Sequence, residues 1–106
     1  PPRSTPAACR SEGLCATYQL VRDHGDPSDR QALAPIKQAI RAGIAFQLQM
    51  QVKGDIAFSK KWLGGFMESP VNNSIRIDYT QHNISSLILF YHILTQDKAS
   101  SSGPVA

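Results

Sequence analysis

The chain has 106 residues, is 42% hydrophobic and 18% charged, and carries a formal net charge of +3. That composition is too apolar for full disorder, the length is too short for two sizeable domains, and no apolar run approaches the ~18 residues of a membrane span. No basic cluster exceeds Lys60-Lys61, so nucleic acid is not an expected partner.

The chain opens Pro1-Pro2-Arg3, with neither Met nor an apolar signal core, and is expected to be a processed product or a piece of something longer. Residues 1–10 hold three prolines and no periodic pattern, and are expected to be a flexible segment. The helical domain is expected over 11–98. Residues 99–106 (Ala-Ser-Ser-Ser-Gly-Pro-Val-Ala) are expected to be a flexible tail.

The first helix is predicted from about Glu12 to His24. Ser11 is its N-cap, Leu14, Tyr18 and Val21 fall at helical spacing, and Gly25 stops it. Cys9 and Cys15 are six apart, which matches neither a redox nor a zinc spacing; no metal is expected. They form either a local disulfide or two free thiols, with Cys15 buried.

Asp26-Pro27-Ser28-Asp29 opens the next helix, with Asp26 as cap, Pro27 at the first helical position, and Ser28…Gln31 as a competing capping box. It runs to about Gln51, with Ile36, Ile40, Ile44 and Leu48 as one stripe. Pro35 predicts either a kink or a short helix over 28–33 followed by a main helix. Gly43 marks either a close helix–helix approach or a local weakness.

Residues 53–77 lack helical spacing yet hold Ile56, Phe58, Trp62, Leu63, Phe66 and Met67. They predict a long structured loop, with short strands near 56–58 and 74–77 and a turn at Gly64-Gly65. The Asn72-Asn73-Ser74 sequon lies in this loop and makes Asn72 a glycosylation candidate, whereas Asn83-Ile84-Ser85 falls in a helix and is discounted. Asp78 as N-cap and Gln81 at N3 open the last helix, which runs to about Thr95. Ile84, Leu87, Ile88, Tyr91 and Leu94 form one face and Leu89, Phe90 and Ile93 much of the other, so it should be buried on most sides. The fold class is thus mainly all-α, with about three helices.

The order of these pieces resembles the repeating unit of α/α toroids. The residues that carry it are Asp23-His24-Gly25-Asp26-Pro27, then Ala39…Ala42…Phe46-Gln47-Leu48-Gln49-Met50-Gln51, Gly64-Gly65-Phe66, and Asp78-Tyr79-Thr80-Gln81-His82. That superfamily includes six-hairpin glycosidases, polysaccharide lyases, sugar epimerases and terpenoid-cyclase-like barrels. The cyclase Asp-x-Asp-Asp-type motif is absent here. The resemblance implies a hydrolase, lyase or epimerase acting on glycans, with no cofactor, whose helix-joining loops line a cavity.

Within that expectation Glu68 and Asp78 would be the two carboxylates of glycoside chemistry, and Tyr79 and His82 an acid–base pair at i,i+3. Trp62 and Phe66 would stack on a sugar and Arg76 would pair with an acidic one. The plainer reading makes Asp78 a cap, Tyr79 a half-buried residue, His82 an exposed first-turn polar residue, Glu68 a solvated charge, Arg76 the ion-pair partner of Glu68 or Asp78, and the aromatics anchors of the loop. The alternative function is a non-catalytic helical subunit of an extracellular multi-chain assembly. Its last helix would be covered by other chains or by the rest of a longer chain. The sequon and the cysteine pair lean toward a secreted glycoprotein.

Overall fold

The computed structural model describes residues 2–53 and 63–101. It is mainly helical: α1 spans Ser4–His24, a single turn α2 Pro27–Arg30, α3 Leu33–Gln49 and α4 Ile77–Ser101. Between α3 and α4 a small antiparallel hairpin pairs β1 (Met67–Ser69) with β2 (Asn72–Ile75). The expected strand at 56–58 lies outside the described residues, as does the expected tail from 102 onward, whereas residues 99–101 of that tail continue α4 instead. Among those described, no helix is long and apolar enough to cross a membrane.

Helix α1 starts eight residues earlier than the spacing predicts, so much of the segment expected to be flexible is helical, and Ser11 is an interior residue. The early prolines permit this. Pro6 is the third helical residue, where its missing N–H would have no intrahelical acceptor, and the first ladder bond runs from Ala7 N–H to Arg3 O. The buried seam of α1 is Ser4, Ala8, Ser11, Cys15 and Tyr18, spaced by four and three. From Ser4 to Cys15 this is a periodicity of small size rather than of hydropathy, and it lets neighbouring helices come close.

The second expected helix divides into α2 and α3. Asp26 accepts from Asp29 N–H at 2.8 Å while the Asp29 carboxylate accepts from Asp26 N–H at 3.2 Å, so Asp29, not Gln31, completes the box. Pro35 then falls in the first turn of α3, which is the divided alternative rather than the kink. Gly43 is a close approach: a Cβ there would lie 2.7 Å from Ser11 Oγ on α1.

Helix α1 packs along both α3 and α4, which meet each other chiefly through long side chains. The core is Cys15, Tyr18, Ile40, Ile44, Phe90 and Ile93. A buried polar layer crosses it. Ser11 donates to Gln47 Oε1 at 2.6 Å, Gln47 Nε2 donates to Ser86 Oγ at 2.6 Å, and Ser86 donates to Asn83 O at 2.8 Å. Toward the other end, Asp97 accepts from Tyr18 at 2.5 Å, Lys37 at 2.7 Å and Arg22 at 3.2 Å, joining all three long helices.

The hairpin is tied underneath. Met67 N–H donates to Met50 O and Val52 N–H to Gly65 O, both at 2.8 Å, and Ser4 Oγ donates to Met67 O at 2.5 Å. Gly64 supplies the turn at φ +87, a backbone conformation that side chains disfavour.

Candidate functional site

The start of α4 gathers part of the expected set. Helix α4 begins at Ile77, so Asp78 is inside the first turn rather than the N-cap. There it favours the positive end of the helix and pairs with Arg76 at 3.1 Å. The Arg76 guanidinium also lies over the Tyr79 ring, 5.4 Å from its centre. Glu68 on β1 accepts from the Asn72 amide. Arg3, Thr5, Pro6, Glu68, Arg76 and Tyr79 line one cleft of about 330 Å³. Arg3 comes from the end of the chain that carried no readable pattern.

His82 turns away from Tyr79's cleft. Its Nδ1 meets Glu12 Oε1 at 2.8 Å, and Ser85 Oγ donates to Glu12 Oε2 at 3.1 Å. Cys9 lies one helical turn before Glu12, and one ligand atom from each of Cys9, Glu12 and His82 falls within 4.8 Å of the others. Sequence spacing gave no sign of this group, because two members sit on α1 and the third lies 70 residues later.

Phe66 is fully buried, so it anchors the loop and offers no face to a sugar. Trp62 lies outside the described residues. Cys9 and Cys15 are free, the first exposed and the second buried. Six residues of helix separate them by about 9 Å along the axis, beyond the ~7 Å that a disulfide spans. Burial first, then the nearby Glu12 charge, pushes the Cys15 thiol up to about 11. Asn72 is exposed on β2, with its side-chain oxygen accepting from Ser74 N–H at 3.0 Å. Asn83 of the discounted sequon is fully buried, and its amide donates to Tyr79 O at 2.7 Å.

The largest departure from expectation is the outer face of α4. Its core side is Phe90 and Ile93, flanked by Leu87, Leu89 and Leu94. Ile77 is 87% exposed, Ile84 42%, Ile88 51% and Tyr91 64%. With the exposed Gln81 and Thr95 they form a row spaced four, three, four, three, four, which is the seam of a coiled coil. A second cleft, mostly apolar and about 370 Å³, sits at the head of this row between Ile75, Arg76, Ile77, Thr80 and Gln81.

No family model, curated protein or solved structure matches the chain. Its fold and sites therefore stand on the geometry alone: a helical bundle with a hairpin at one end and an uncovered apolar helix face.

Proposed function

We propose that the chain is a non-catalytic helical subunit that assembles through α4, and that its partner is a second copy of itself. The observation that carries this is the exposed row Ile77, Gln81, Ile84, Ile88, Tyr91 and Thr95. Monomeric proteins rarely leave a contiguous apolar strip of this kind in water. The row is self-complementary when two α4 helices run antiparallel. Ile84 then meets the partner's Ile88, Gln81 the partner's Tyr91, and Ile77 the partner's Thr95. On one flank Asp78 comes opposite the partner's His92, whose ring N–H can donate to the carboxylate, and the two-fold repeats the contact. The row is about 27 Å long at 1.5 Å per residue. Such a contact buries on the order of 1,000 Å² in total, the low end for a specific interface, so association at micromolar concentration is expected.

Sedimentation of the chain across micromolar concentrations tests this. A dimer that Ile84→Glu and Ile88→Glu convert to a folded monomer is the expected result. A strictly monomeric wild type at 100-micromolar order would remove the reading.

A second reading is that the chain is part of an α/α-toroid carbohydrate-active protein acting at the other cleft. It draws support from Glu68, Arg76 and Tyr79 lining one hollow with Arg3. Two guanidinium groups beside a carboxylate and a phenol suit an acidic sugar. Titration with uronic-acid and neutral oligosaccharides, followed by amide chemical shifts and product analysis, tests it. Shifts centred on these residues for the acidic series are expected; no response from either series rejects it.

A further inference from the structure

We propose that Cys9, Glu12 and His82 form a binding site for one divalent metal ion of the zinc type. The three donors are a thiol, a carboxylate and an imidazole, and their ligand atoms already lie within 4.8 Å of one another. Donors around a tetrahedral zinc at 2.0–2.3 Å sit about 3.3–3.8 Å apart, so loading closes the widest pair by up to about 1–1.5 Å, within reach of side-chain rotation. The 2.8 Å contact between His82 Nδ1 and Glu12 Oε1 opens slightly as the ion enters between them, with the metal-bound imidazole carrying its proton on Nε2.

The scaffold is suited to this. Cys9 and Glu12 are three apart on α1 and share a face, while His82 is fixed on α4, so the ion joins two packed helices. Ser85 Oγ holds the second Glu12 oxygen at 3.1 Å, the outer hydrogen bond that orients a metal-binding carboxylate. Sulfur and nitrogen donors favour zinc over magnesium or calcium. Three protein ligands leave a fourth position, and the exposure of Cys9 opens that side to water and gives the ion a way in. Coordination takes Cys9 as thiolate, so its proton passes to solvent. All three ligands belong to one chain, so the site needs no second copy.

Cobalt(II) added to the reduced full-length chain is the test, because its spectrum reports both geometry and sulfur ligation. One ion per chain is expected, with tetrahedral visible bands and a thiolate-to-metal charge-transfer band. Cys9→Ser should abolish that band, and Zn²⁺ should displace cobalt. His82→Gln should weaken binding at least tenfold and Ser85→Ala severalfold. A measurement free of variants accompanies these: Zn²⁺ should slow alkylation of Cys9 in the wild-type chain at least tenfold, mapped by mass spectrometry. The proposal is overturned if no charge-transfer band appears at micromolar metal. It is equally overturned if the band survives in Cys9→Ser, or if Zn²⁺ leaves Cys9 alkylation unchanged.

Discussion

Replacing Asp97 by Asn should destabilise the bundle by about 2 kcal/mol at neutral pH. Asp97 is where α1, α3 and α4 are tied together, through Tyr18, Arg22 and Lys37. A hydrogen bond to a charged group contributes roughly 1.5–3 kcal/mol when well shielded. Here the Asp97, Arg22 and Lys37 side chains are 22–25% exposed, so solvent trims each ion pair to about 0.5–1 kcal/mol. Asn retains one acceptor for Tyr18 but presents an amide donor toward cations. For a domain of this size the loss corresponds to a fall in Tm of about 10 °C.

The pH dependence gives the sharper check. Burial pushes the Asp97 carboxyl up, but hydrogen bonds from Lys37, Tyr18 and Arg22 and the Lys37 charge together hold it below its ordinary value. A carboxyl lowered on folding stabilises above its unfolded pKa of about 3.9 and loses that contribution as pH falls through the lower folded value. Urea unfolding of both proteins from pH 7 down to pH 2–3 should show the gap closing toward zero at the acid end. Tyr18 offers an independent signal. Burial first, then the hydrogen bond and charge of Asp97, pushes its hydroxyl up to about 12, and the substitution should lower it by phenolate absorbance. A gap that is constant across the pH range, or below about 0.5 kcal/mol at pH 7, refutes the reasoning.

Three further outcomes follow from the packing. Gln47→Ala removes the fully buried amide between Ser11 and Ser86 and should cost about 3 kcal/mol in chemical denaturation, through a cavity and an unpaired Ser11 hydroxyl, while Ser86 keeps its bond to Asn83 O. Gly43→Ala should destabilise by about 1–2 kcal/mol despite alanine's better helix propensity, because its Cβ would press on Ser11 Oγ at 2.7 Å; a stabilised variant would mean that α1 and α3 are farther apart. Without metal, native thiol titration should detect Cys9 promptly and Cys15 only on unfolding, whereas two equally fast thiols would contradict the burial of Cys15.

Much of the candidate site was legible in part. Glu68, Arg76 and Tyr79 were singled out from the sequence and do line one cleft. His82 was singled out with them, but its partners Glu12 and Cys9 were not, because hydrogen bonds between helices leave no local spacing to read. Phe66 was visible as an aromatic in a loop, yet only the fold distinguishes a stacking platform from a buried anchor.

The sequence by itself determined the helical class and the Asp26-Pro27 helix start, and it narrowed Gly43 and Pro35 to two alternatives each, between which the packing chose. The start and the narrowing depend on local sterics and capping, which act within a few residues. It could not reveal the early start of α1, whose inner seam is made of small and polar residues that carry no hydropathy signal. Above all, it marked α4 as apolar nearly all round without saying which side is covered. Only the tertiary structure decided that. The bundle has surface enough to bury Phe90 and Ile93, and it leaves the row from Ile77 to Tyr91 facing water.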